Sequence, residues 1–213
     1  MIRFIMAEKP NLDAAYALQT PTENRLLYAE WAETYDNDFA ENLGYALPIR
    51  VADAFVEKLN GKQNGRILDI GAGTGLVGQR LKYFNFSNID GLDISSEMLE
   101  VAKTKGCYEN MIEGDLSLKL PIQDSSYNYI ISAGTFTHGH VGTSALDELL
   151  RISKAGSIFC ISINSAYFET AGFERKFQEL GENIFQLEFR SVQIYFGGEQ
   201  HDEQATIAIF KKS

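Results

Sequence analysis

Residues 66–81 read RILDIGAGTGLVGQRL, and the reading of their glycine turn decides the fold. The apolar run RILDI ends directly in glycines, and GLVGQRLKYF then spaces apolar residues with helical periodicity. A buried strand turning sharply into a helix is therefore predicted. Two patterns fit the turn. Taken from Gly73, GTGLVG has the letters of G-x-G-x-x-G, the loop that seats a pyrophosphate against a helix N-terminus. That choice leaves Ile70-Gly71-Ala72 between strand and turn, whereas starting from Gly71 puts Leu76 in the sixth place and breaks the pattern. Asp69 is the stronger discriminator. A carboxylate at the strand's end opposes a pyrophosphate and suits a cationic ligand, so the loop is read as one built for positive charge.

Working outward, short apolar runs alternate with helical periodicity. NIDGLDI reads as a second strand, and Ser95 or Ser96 can cap the helix EMLEVAKTKG, which Gly106 ends. ENMIEGD and YNYIISAG follow as strands three and four; SALDELLRIS is an amphipathic helix leading through KAG into a fifth strand, SIFCISIN. Strand and helix repeated this way imply right-handed crossovers. The predicted fold is α/β, a Rossmann-like doubly wound sheet, mostly parallel, with helices on both faces. AYFETAGFERKFQELG is predicted helical, ended by Gly181, and IFQLEFRSVQIYF and ATIAIFKK flank the turn-rich GGEQHDEQ as a C-terminal antiparallel hairpin. Before the sheet, NRLLYAEWAETYDNDFAENLGY reads as one helical segment, aromatic and acidic, started by TPTEN.

Composition narrows the function. At 213 residues the chain is expected to be one domain, 1–213, with an apolar content of 45% and a charged content of 23% that suit a soluble globular protein. The net charge of −10, with no Lys/Arg run, disfavours nucleic acid and anionic membrane surfaces as partners. Cys107 and Cys160 lie far apart and in no C-x-x-C, so neither a disulfide framework nor a zinc site is expected, and reduced cytoplasmic thiols are. MIRFIM is too short an apolar run for a signal peptide, Met1 or Met6 can serve as the start, and no stretch has the length to cross a bilayer.

Two further carboxylates sit where strands end. Asp93 closes the second strand, where a carboxylate can accept from ribose hydroxyls. Asp115 follows the third, where it can accept from an adenine amine. ILDIGAGTG, IDGLDISSEML, IEGDLSLKLPIQDSSYNYIIS and LDELLRISKAG occur in that order and spacing. Together they resemble a class I S-adenosylmethionine-dependent methyltransferase, from about Tyr28 to Ile163. YAEWAETYDNDF and SAGTFTHGHV are similar to the methyltransferase-like family named after the Williams–Beuren region. The chain departs from the class at Tyr127-Asn128-Tyr129, where Phe-Asp is usual, and at Lys154-Ala155-Gly156-Ser157, in place of Lys-Pro-Gly-Gly. Both lie away from the ligand edge of the sheet.

The resemblance implies a set of roles around S-adenosylmethionine. Residues 1–50 would form a helical lid, 51–165 the cofactor-binding half, and 166–213 a C-terminal helix and hairpin. Asp69 would anchor the methionyl ammonium, directly or through water. Gly71, Gly73 and Gly75 would let the backbone approach the ligand. Asp93 would take the ribose, Asp115 the adenine amine, and Met98 would pack on the adenine ring. Ala72, Leu76, Ile94, Leu116 and Ala133 complete the expected cofactor contacts. Tyr28, Trp31 and Tyr35 fall at i, i+3 and i+7 on one helix face, which is a core stripe or, in this class, a lid with Tyr35 near the sulfonium. His138 is the expected base, with His140 two residues on; an H-x-H pair without a third ligand gives no metal site. His201 has no assigned role. The expected reaction is methyl transfer to a small-molecule acceptor. A non-catalytic S-adenosylmethionine-binding protein and a nicotinamide-dependent oxidoreductase stay open as alternatives.

Overall fold

The structure, a computed structural model, describes residues 20–61, 64–197 and 203–213; MIRFIM and His201 fall outside these. A seven-stranded sheet forms its centre: β1 (Ile67–Ile70), β2 (Ile89–Asp93), β3 (Asn110–Glu113), β4 (Tyr127–Phe136), β5 (Ser153–Asn164), β6 (Ile184–Gln193) and β7 (Gln204–Lys212), in the order β3-β2-β1-β4-β5-β7-β6. The first five run parallel to one another, and β7 pairs antiparallel with both β5 and β6. β1 is the switch point, with β2 on one side and β4 on the other, and its four residues are all buried, as a doubly covered strand requires.

Helices cover both faces. On one, α2 (Leu47–Leu59) buries Val51, Phe55 and Leu59 with Val77 and Leu81 of α3 (Leu76–Tyr83). On the other, α5 (Ala145–Ile152) buries Leu146, Leu149 and Ile152 with Phe173, Phe177 and Leu180 of α7 (Phe173–Leu180). α4 (Ser96–Thr104) is capped by Ser95, whose Oγ accepts from Met98 N at 3.2 Å. Among the described residues no helix is long and apolar enough to cross a membrane.

Three boundaries differ from the sequence reading. The helical run after β5 breaks into α6 (Ser165–Thr170) and α7, because Gly172 takes a left-handed φ of 78° between them. The N-terminal run breaks too: α1 (Pro21–Trp31) ends at Trp31, and a separate π-helical turn spans Asp36–Glu41. β5 begins at Ser153, four residues early, because KAG bulges within the strand instead of preceding it. Buried Asp90, in the apolar second strand, is matched by Tyr127 Oη at 2.8 Å, Asn110 Nδ2 at 2.7 Å and Arg66 Nε at 2.7 Å. Asn128 stands at the opposite edge from the ligand side, where its Oδ1 accepts from Arg66 N and from Lys154 Nζ, each at 3.1 Å.

Candidate active site

Above the carboxyl ends of β1, β2 and β4 lies a cavity that opens to solvent. Its floor is the glycine turn. Gly71 (φ 65°) packs so closely on Thr135 that a side chain there would overlap it, while Thr135 Oγ1 donates to Ile70 O at 2.9 Å. Gly73 (φ 52°) is the opposite case: a Cβ would meet nothing nearer than Gly71 O at 4.0 Å. Its missing side chain is an opening onto the cavity.

Asp93 holds that opening in place. Its Oδ2 accepts from Gly73 N at 2.8 Å and its Oδ1 from Ser95 N at 2.9 Å, so the amide a pyrophosphate loop would offer is already engaged. Burial pushes the Asp93 carboxyl up, opposed by the Ser95 and Gly73 amides. Ala72, Leu76, Ile94, Met98, Leu116 and Ala133 line the cavity as well. Asp115 lines it and also closes a local turn, its Oδ1 accepting from Ser117 N at 2.8 Å and Ser117 Oγ at 2.6 Å.

Asp69 does not reach the cavity wall. It is fully buried beneath the loop, where Oδ2 accepts from Tyr108 Oη at 2.5 Å and Oδ1 has no hydrogen-bond partner among the described residues. Burial raises its pKa to about 7, with the Tyr108 hydroxyl opposing the rise. Gly75 also lies off the cavity, its space taken by Ala102 and Tyr108. Tyr108 itself was not anticipated. Its ring fills a hollow in which a Cβ at Gly78 would come within 2.5 Å and one at Gly91 within 3.1 Å. A glycine inside a helix and another inside a strand are the sequence signals that mark such a close approach.

A stability prediction follows from Asp69. Unfolded, its carboxyl titrates near 4; folded, at about 7. Between those values the folded state holds the extra proton, so stability falls as pH rises through the window. Asp69→Asn, which keeps an acceptor for Tyr108, should stabilise the unliganded protein at neutral pH by on the order of 1–4 kcal/mol. Below about pH 4 the two proteins should melt alike. Melting curves across that range check it; equal destabilisation at every pH would contradict it.

The roof comes from the N-terminal segment. Tyr28 and Tyr35 line the cavity, joined by Asn24, one helical turn before Tyr28 and only 7% exposed, and by Tyr45. Trp31, expected on the cofactor, lies off this cavity and packs into the core. α1 ends there, and the indole is 3% exposed, packed edge-on against Tyr35 at 5.2 Å and Phe39 at 5.5 Å. The π-helical turn fastens the roof to the floor, with Asp36 Oδ1 accepting from Thr74 Oγ1 at 2.5 Å and Oδ2 paired with Lys105 Nζ at 2.5 Å.

A second cavity adjoins the first and shares Tyr28, Tyr35, Tyr45, Gly134 and His140 with it. Trp31, Phe39 and Tyr195 belong to the second alone. The two histidines separate here. His138 is exposed, its ring 4.8 Å from Tyr167, and lines neither cavity. β4 ends at Phe136, and the chain then loops outward, which carries His138 away and turns His140 back. His140 lies edge-on to Tyr28 at 5.5 Å, and burial pushes its pKa down to about 4.

The family model of the methyltransferase domain matches residues 68–161. An uncharacterized methyltransferase of Bacillus cereus (strain ATCC 10987 / NRS 248) is 31% identical over 177 residues, 76% of this chain and 81% of that one. Human methyltransferase-like protein 27 is 30% identical over 151 residues, 70% of this chain; the match spans 61% of the human protein's length. Among solved structures, a TehB-like S-adenosylmethionine-dependent methyltransferase from Corynebacterium glutamicum superposes with a TM-score of 0.58 at 22% identity, covering 85% of this chain and 98% of that one. The CurJ carbon methyltransferase superposes with a TM-score of 0.61 at 15% identity, covering 91% and 61%. The chain belongs to the class I S-adenosylmethionine-dependent methyltransferases. The cofactor of that class is S-adenosylmethionine.

Proposed function

We propose that residues 1–213 act as one methyltransferase domain, with S-adenosylmethionine in the first cavity and a small-molecule acceptor in the second. The observation that carries this reading is the glycine opening at Gly73, held by Asp93 at the switch point of the sheet. The residues present fit the cofactor. An ionised carboxylate offers about four acceptor positions, so Asp93 keeps capacity for ribose hydroxyls after its two amide bonds. Asp69, buried behind the loop with one oxygen unpartnered and a carboxyl raised to about 7 in the empty protein, would gain its negative charge as the methionyl ammonium arrives. Asp115, Met98 and Leu116 border the adenine end, and the Tyr28 and Tyr35 rings border the sulfonium end.

When bound, the cofactor supplies an activated methyl group on a good leaving group. The chain's residues supply alignment and exclusion of water. Tyr28, Tyr35 and Tyr45 divide the two cavities and would set the acceptor's approach. His140, in the place expected of His138, presents a neutral imidazole that can hydrogen-bond the acceptor.

Calorimetry with S-adenosylhomocysteine tests the reading, and an absence of binding would overturn it. The roof has its own test. Asp36→Ala removes the contacts to Thr74 and Lys105, so amide exchange across residues 25–40 should quicken. Affinity for S-adenosylhomocysteine should fall roughly 3- to 30-fold. Unchanged exchange and affinity would mean that the roof does not cover the cofactor.

A further inference from the structure

We propose that the second cavity takes an uncharged aromatic heterocycle and that methylation falls on a pyridine-type ring nitrogen. The proposal rests on the cofactor assignment above and names the acceptor class for the same site. Its walls are rings: Tyr28, Trp31, Tyr35, Phe39, Tyr45 and Tyr195. A flat aromatic guest matches such walls in shape and in ring–ring contact. None of the described residues lining this cavity is Lys, Arg, Asp or Glu. A carboxylate or phosphate would therefore be desolvated there with no counter-charge from the lining residues, which folded proteins avoid. Among the described residues, two that line the cavity carry buried polar atoms with no partner, Trp31 Nε1 and Thr137 Oγ1. An indole N–H only donates, so it calls for an acceptor oxygen or nitrogen on the guest.

Proton balance narrows the nucleophile. An alkylammonium or a phenol must lose a proton before it can attack. Among the described residues the one imidazole lining the cavity is His140, pushed down to about 4 by burial. Taking a proton from a group that titrates near 10 would run against about six powers of ten. A pyridine-type nitrogen has its lone pair free at neutral pH and needs no base. That lone pair forms the new N–CH3 bond as the C–S bond breaks, and sulfur keeps the bonding pair as a neutral thioether. The positive charge moves from sulfur to the ring, and no proton is released. The product cation then lies among aromatic faces, which attract it.

The test incubates the full chain and S-adenosylmethionine with 3-acetylpyridine or isoquinoline, against 3-acetylphenol, 1-phenylethylamine and 3-acetylbenzoate, and identifies products by mass. Calorimetry with S-adenosylhomocysteine runs in parallel. The two pyridine-type compounds should give permanently charged N-methyl products at least about tenfold faster than the other three. Trp31→Phe should raise KM for 3-acetylpyridine roughly tenfold, several times more than for isoquinoline, which has no carbonyl to accept, and leave S-adenosylhomocysteine affinity unchanged. If S-adenosylhomocysteine binds but neither heterocycle is methylated, or phenol, amine or carboxylate is preferred, the acceptor assignment fails and the cofactor assignment stands. If S-adenosylhomocysteine does not bind, the cofactor assignment fails and takes the acceptor with it.

Discussion

Gly73→Val is expected to cut S-adenosylhomocysteine affinity by on the order of 100-fold or more, since a branched side chain would occupy the opening and strain a left-handed backbone. The fold should survive, because a Cβ at Gly73 would meet nothing nearer than Gly71 O at 4.0 Å. The melting temperature should fall by an amount matching about 1–3 kcal/mol of local strain. Gly71→Val makes the contrast. There the new side chain would collide with Thr135, whose hydroxyl is bonded to the end of β1, so the damage is to the sheet itself. Calorimetry and thermal melts on both variants separate the two effects. Wild-type affinity in Gly73→Val would remove the cavity from consideration as the cofactor site.

Asp93→Ala should weaken S-adenosylhomocysteine binding by about 1.5–3 kcal/mol, roughly 10- to 150-fold. A ribose contact alone would leave the stability of the empty protein untouched. The carboxylate's hydrogen bonds to Gly73 N and Ser95 N change that expectation. Removing it strips two amides of their acceptor, so the unliganded protein should also lose on the order of 1–2 kcal/mol. Asp93→Asn keeps one oxygen for an amide and should lie between wild type and alanine in both measurements. Titration calorimetry beside thermal melts resolves them; unaltered affinity in the alanine variant would sink the ribose role.

The strand-and-helix order was legible because each buried strand is short, apolar and bounded by glycine or a polar turn. RILDI into GAGTG and LDIS into the Ser95 cap reappear as β1, β2 and their helices with little change. What periodicity missed were interruptions set by backbone conformation. Gly172 splits a convincing helical run, and α1 stops at Trp31, so Tyr35 joins the rings of Tyr28 and Trp31 from beyond the helix end. The site was legible where strand ends dictate position, as at Asp93, Met98 and Asp115. It was not legible where loop geometry decides. Nothing in T-H-G-H says which histidine turns inward, and the partnership of Tyr108 with Asp69 joins residues 39 apart in sequence. Asn24 and Thr135 reach the cavity through tertiary placement and carry no local pattern of their own.

The order in which the strands lie has a consequence for how the chain is made. β7 follows β6 in sequence but lies between it and β5, and Ile207, Ala208, Ile209 and Phe210 are wholly buried there. During synthesis β6 therefore emerges before β7, the strand it pairs with among the described residues, and β5 meanwhile presents an unpaired edge. Phe185, Leu187 and Phe189 on β6, 43%, 37% and 47% exposed even in the finished fold, are bare through that interval. Closure waits on pairings that β7 makes with residues more than forty positions earlier, a non-local step of the kind that slows folding and invites association between nascent chains.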